Sequence, residues 1–294
     1  MNLLKKLRDK FPGQPGNAVR PRRRSWLCLE SLETRLTPAV NTFVVPVSEL
    51  ADGVHTFHSL AQAIVGAGTN GVVTVEPESS TDLDQPIVIT TSSLTIQGDP
   101  NTPAASLPSY QLTVLAHKVT LHNLNLRGVS IGTSTDPNDA GYFGNTISNC
   151  LVGGVNDFGS ASTLTQSTFT AGVTITNNNQ NQQVDIIQNN LFTSTDRELL
   201  KVIFGFGAQI TGNEFFGDST EFAIDLEDCN GDPPGPTLVA NNSIHLTGNQ
   251  FSDNVGILVN QIGAGLLSFV EIDDNSIATQ GLGIGIKIDR KSVV

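Results

Sequence analysis

Asp228, Asn230 and Asp232 stand two apart in the run Asp-Cys-Asn-Gly-Asp-Pro-Pro-Gly, a D-x-N-x-D spacing. That spacing can present the first oxygen ligands of a calcium loop, because hard cations gather carboxylate and carbonyl oxygens from alternate residues. The match is defective: Pro233 replaces the glycine that makes the sharp turn, and no glutamate closes the shell. The plainer account is an acidic turn stiffened by Pro233 and Pro234. A second set, Lys201, Asp225 with Glu227, Asn260 and Lys287, follows corresponding apolar residues in successive repeats. Such a column could hold an acidic or calcium-bridged polysaccharide, and calcium is the one cofactor the sequence suggests. As a plain row of surface charges, each member would contribute little. Asp273-Asp274 is the one aspartate doublet beside a repeat, with no histidine motif next to it. His55, His58, His117, His122 and His245 pair with no nucleophile or metal set. No residue is assigned a catalytic role.

These side chains must be positioned by a repeat. Seven segments share an apolar residue, two spacers, an asparagine or small residue (leucine in the first), a spacer and a second apolar residue. They are 121–126, 147–152, 164–169, 186–191, 210–215, 246–251 and 272–277. The intervals vary, as expected where turns accept insertions and strands keep register. A second apolar alternation follows several of them, as in Phe222-Ala-Ile224-Asp-Leu226, Ile257-Leu-Val259 and Ile284-Gly-Ile286-Lys-Ile288. Period-2 patterning puts alternate members inside. The expected fold is therefore all-β: a right-handed parallel β-helix, a solenoid of short coils, over residues 110–288. Asn189, Asn213, Asn249 and Asn275 occupy one repeat position and are expected to stack about 4.8 Å apart as a hydrogen-bonded structural ladder. A sugar-binding line of asparagines is the functional alternative. Leucine-rich repeats would need denser leucines, and a β-sandwich more alternation.

Residues 41–109 should build the first coils and their cap. Leu60, Ala63 and Ile64 share one side of a short helix, with Gly66 and Gly68 at its end. Strands are expected at 71–75, 87–89 and 94–96. A short helix, then V-x-V, then Leu94-Thr-Ile-Gln-Gly-Asp99 resembles the opening of pectin-lyase-like β-helix proteins. Such a helix would cover the exposed edge of the first coil. The resemblance implies a protein of the polysaccharide-active or adhesive kind. Fold alone does not choose among these, and the polygalacturonase motifs and the lyase arginine motif are missing.

Charge divides the chain. The net charge is −12; residues 1–40 hold nine basic and three acidic residues (9 − 3 = +6), leaving 7 − 25 = −18 for the rest. An acidic body repels phosphate backbones, which argues against nucleic acid. No apolar run is long enough to span a bilayer. The basic segment lacks the apolar stretch of a secretory signal. Arg22–Arg24 followed by Leu27–Pro38 (L-x-L-E-x-L-E-x-R-x-x-P) resembles a motif near the N-terminus of planctomycete cell-surface proteins. That resemblance implies residues 1–40 are a sorting or export segment and the location extracellular or cell-surface. Cys28, Cys150 and Cys229 are too few for a disulfide framework. Cys150 falls at a core position, and a Cys28–Cys229 bridge is left open. Residues 289–294, Asp-Arg-Lys-Ser-Val-Val, look like a translated adapter fragment, and the natural protein is expected to continue past residue 288.

Together these features point to an exported or surface-associated β-helix domain with a structural or adhesive role, contacting polysaccharide or another cell-envelope component. The alternative is a polysaccharide lyase or glycoside hydrolase with diverged or missing catalytic residues.

Overall fold

The computed structural model describes residues 40–79, 83–133, 142–177, 184–205, 207–218, 221–229, 235–247, 254–261, 270–280 and 283–290. The basic segment therefore lies outside the described residues, Val40 excepted, as do Cys28, Asn230, Asp232, Asn249 and residues 291–294.

Each coil begins with a short strand whose inward residue is aliphatic and whose neighbours face out. Ile96, Leu121, Ile147, Leu164, Ile187 and Ile210 lie in register on successive strands and all are buried. These strands form one parallel sheet, face A. The remaining strands form a second parallel sheet that bends, because Asn125–Ile131 runs through both its halves. Its first residues pair with Leu151–Val152 and its last with Val155–Asp157. The two halves are faces B and C, so every full coil winds through three faces around one core. The fold is an open parallel β-solenoid with one α-helix among the described residues.

Helix α1, Leu60–Ala67, forms where the sequence placed it. Ser59 caps its first turn by accepting from the Gln62 N–H at 3.3 Å, and Gly68 ends it at φ +65°. Leu60, Ala63, Ile64 and Ala67 turn inward against the first strands. Gly66 lies within the helix, not after it. A Cβ there would sit 2.8 Å from the Phe57 ring, so glycine lets the helix seat closely.

Between faces A and B the chain turns through one left-handed residue and then one inward polar residue. Asn189 (φ +55°), Gly212 (φ +66°), Asn241 (φ +56°) and Asp274 (φ +48°) are left-handed, a conformation asparagine, aspartate and glycine tolerate. The ladder residues come next: Asn190, Asn213, Asn242 and Asn275. Asn190 N–H donates to Asn213 Oδ1 at 2.9 Å, Asn213 N–H to Asn242 Oδ1 at 2.9 Å, and Asn242 N–H to Asn275 Oδ1 at 3.0 Å. Each side-chain amide also donates to a carbonyl of an earlier coil, as Asn213 Nδ2 does to Ile187 O at 2.9 Å. The ladder continues through Ser167, whose N–H donates to Asn190 Oδ1 at 3.0 Å, and Cys150, whose N–H donates to Ser167 Oγ at 3.1 Å. Asn189 is thus a turn residue, one position from the rung the sequence assigned to it. Asn242 fills the rung for which the sequence offered Asn249.

Asp289 and Arg290 extend the strand Ile284–Arg290 and pair in register with Asn260 and Gln261. Cys150 and Cys229 are free and buried. No helix among the described residues is long and apolar enough to cross a membrane.

Candidate functional site

On the outer side of face C, register brings uncharged and charged residues into one column. Ser130, Asn156, Thr174, Lys201, Asp225, Leu258 and Lys287 are successive partners across six strand pairs. Glu227 and Asn260 stand two residues along, in a neighbouring column that ends at Asp289. The residues the sequence grouped therefore divide between two columns.

The middle of this surface is closed. Lys201 Nζ lies 2.7 Å from Glu227 Oε1, 3.3 Å from Asp225 Oδ2 and 3.8 Å from Glu198 Oε1. The Asp225 side chain is only 3% exposed. Phe222, Val255 and Leu258 form a small apolar cluster beside it. Burial, assisted by the Glu227 and Glu198 charges, pushes the Asp225 carboxyl up to about 6 against the pull of Lys201. Burial opposes the Lys201 charge, yet the Glu227 hydrogen bond and the surrounding carboxylates raise its pKa on balance. Asp225 Oδ1 and Asn260 Oδ1 find no hydrogen-bond partner among the described residues. One ammonium among three carboxylates is already saturated, so Lys201 has no charge left for an acidic ligand. Lys287, at the far end of the column, is exposed and separated from this cluster by Leu258.

Asp228 follows Glu227 in a left-handed turn, with its N–H donating to Asn260 O at 3.0 Å. Its two partners in the calcium pattern lie outside the described residues.

The start of the column is open. Ser130, Asn156 and Thr174 line a groove of about 470 Å³ at the corner between faces B and C. Its floor is cut by Gly128, Gly154 and Gly172. A Cβ on Gly154 would come within 3.0 Å of Gly172 O, and one on Gly172 within 3.0 Å of Glu198 O. A side chain at Gly154 or Gly172 would press on backbone, and glycine leaves the floor shallow and backbone-lined. Arg127 and Arg197 stand on this groove beside Asp196 and Glu198. Arg127 Nη2 donates to Leu83 O at 2.9 Å, and Arg197 is paired with Glu221. Asp196 Oδ2 accepts the Gly172 N–H at 2.6 Å. Two cations and two carboxylates balance in charge, and the rest of the lining is hydroxyl, amide and backbone together with Val129, Val155 and Ala171. That lining suits a neutral, hydroxyl-rich ligand laid along the stack.

Sequence reasoning found the sealed part of the column and missed the open part. Ser130, Asn156 and Thr174 carry no charge, and only coil register aligns them.

A parallel β-solenoid with a polar corner groove is the class of protein these features define. Compared with protein-family models, curated proteins and solved structures, the chain matches none. The pectin-lyase-like and planctomycete resemblances therefore rest on the quoted residues alone.

Proposed function

We propose that this chain is an exported, surface-associated β-solenoid that holds a polysaccharide of the cell envelope or surroundings along its corner groove, in a structural or adhesive role. The observation that carries this reading is the register-aligned Ser130–Asn156–Thr174 column over a glycine floor. Hydroxyl and amide groups recur there at the coil spacing of about 4.8 Å, close to the repeat of an extended hexose chain. The rest of the molecule, at −18 beyond residue 40, favours a neutral polymer over a polyanion.

A second reading, cleavage of the same polymer, has in its favour that Arg127, Asp196 and Glu198 share the groove. Asp196 is committed to the Gly172 N–H, and Glu198 belongs partly to the Lys201 cluster, so binding is the better-supported role.

Affinity electrophoresis through soluble neutral glucans, xylans and mannans tests the proposal. Wild type should be retarded by at least one of them, and Asn156→Trp, which fills the groove from an exposed position, should migrate freely with an unchanged melting temperature. Equal retardation of both proteins, or of neither, contradicts the reading. Release of reducing ends or unsaturated products during incubation would establish cleavage.

A further inference from the structure

A second outward surface, on face B, carries a different chemistry. Phe216 and His245 are register partners on adjacent strands. Their rings stack with centroids 5.2 Å apart and planes 7° apart. Phe216 is nevertheless 44% exposed, whereas Phe169, Phe192 and Phe215 turn inward and are shut from water. A phenyl ring fixed on an outward strand position leaves apolar area in water that burial against a ligand would recover. The stacking partner fixes its plane in advance, so little freedom is lost when something settles on it. Thr193 is the register partner of Phe216 on the preceding coil. Thr193, Thr195, Thr247 and Asp218 line a groove of about 440 Å³ beside the two rings. Thr247 Oγ1 donates to Gly217 O at 3.2 Å, which orients that hydroxyl along the rim.

The Phe216 face turned away from His245, with hydroxyls and one carboxylate around it, fits a sugar ring. One face of a pyranose is a patch of C–H groups, which the negative face of an aromatic ring attracts. Its edge is a ring of hydroxyls that need hydrogen-bond partners when they leave water. Nucleobases also stack on aromatic rings, but Asp218 and the acidic body repel the phosphates that accompany them. A uronate carboxylate meets the same repulsion.

We infer that the Phe216–His245 platform is a subsite for one pyranose ring of a neutral polysaccharide, with Thr193, Thr195 and Asp218 receiving its hydroxyls. Ser194 and Thr195 line this groove, and the residues that follow them, Asp196, Arg197 and Glu198, line the corner groove. The two grooves therefore adjoin at the Thr195–Asp196 corner. The inference rests on the polysaccharide reading for the class of ligand only; the platform itself is a separate observation.

Calorimetric titration of the full chain with neutral hexasaccharides of glucose, xylose and mannose, and with hexagalacturonate as the anionic comparison, tests it. At least one neutral member should bind. Phe216→Ala should weaken that binding about tenfold, while Phe216→Trp, which keeps a flat ring, should hold it. Because the Phe216 ring is half open, Phe216→Ala should melt with wild type; Thr193→Arg, which blocks the platform from the preceding coil, provides an independent loss of binding. Wild-type affinity in both Phe216→Ala and Thr193→Arg overturns the subsite, while the corner groove is judged separately by Asn156→Trp. Loss in the platform variants alone, with Asn156→Trp binding normally, upholds the subsite and overturns the corner groove. Preference for hexagalacturonate, or no binding by any neutral member, overturns the inference.

Discussion

Asp157 occupies an inward position where its register partners on either side are Ile131 and Ile175. Its Oδ1 accepts the Gly159 N–H at 2.7 Å, while Oδ2 has no partner among the described residues. Asp185, also buried, accepts from Ser162 N–H at 2.9 Å and Asn177 Nδ2 at 2.7 Å. Burial pushes Asp157 up to about 6. Burial first, and then the Asp157 charge, pushes Asp185 up to about 7. Both carboxyls hold their protons more tightly folded than unfolded, where the ordinary value is 3.8. Between about pH 4 and pH 7 the native state therefore binds more protons than the unfolded chain, and stability falls as pH rises through that window. The melting temperature of wild type should drop from pH 4 to pH 7, and the Asp157→Asn, Asp185→Asn double variant should show a much flatter profile. A rise over that window, or the same drop in the double variant, contradicts the assignment. Nothing in the sequence marks these two residues: Val155-Asn-Asp157 reads as an ordinary polar strand end until the coils above and below close over it.

At the scale of the element, the strand-turn-strand unit explains what the sequence made legible and where it misled. Period-2 alternation predicted the inward residues of face C, and the structure buries Ile224, Leu226, Ile257 and Val259, while Ile284, Ile286 and Ile288 on the last described strand, named by the same pattern, are exposed. The ladder turn was harder. Ile186-Ile187 and Asn189-Asn190 are doublets, so the hexapeptide fits in either of two registers. A one-residue slip exchanges every inside position for an outside one. The structure selects Ile187 and Asn190, leaving Ile186 38% exposed, because the left-handed residue must precede the rung. The Asn241-Asn242 doublet carries the same ambiguity, and Leu246–Phe251 matched the pattern by composition alone. Denaturant titration separates the registers. Asn213 accepts from Asn190 N–H and Nδ2 and donates to Ile187 O and Asn242 Oδ1. Asn213→Ala strands a buried N–H and should lower stability by roughly 2–4 kcal/mol. Asn189→Gly, at a left-handed turn position, should stay within about 0.5 kcal/mol of wild type. A loss on Asn189→Gly as large as that on Asn213→Ala would place the rung at Asn189.

For the whole body, the stack explains both the continuity of the core and the location of its open surfaces. The Phe169, Phe192 and Phe215 rings stack with centroids 5.0 and 4.6 Å apart, and one cluster of buried residues runs from Val44 to Val259. Because each coil contacts its neighbours, stability is a sum of local terms, and a long outward column can vary while the core is kept. That freedom is why the fold was readable from repetition and the site was not. Charge drew attention to Lys201, Asp225 and Glu227, whose mutual pairing closes them off. The open residues, Ser130, Asn156 and Thr174 on one face and Phe216 with His245 on another, are ordinary in type and far apart in sequence. Only the register makes them neighbours.

The central claim is that a neutral polysaccharide lies along the corner groove. The most direct test is amide chemical-shift mapping of the labelled protein during titration with a neutral oligosaccharide that binds it. The account predicts saturable shifts concentrated at Ser130, Gly154, Asn156, Gly172 and Thr174, with the face A ladder around Asn213 unmoved. Shifts confined to face A, or to the outer surface around Lys287, would contradict it.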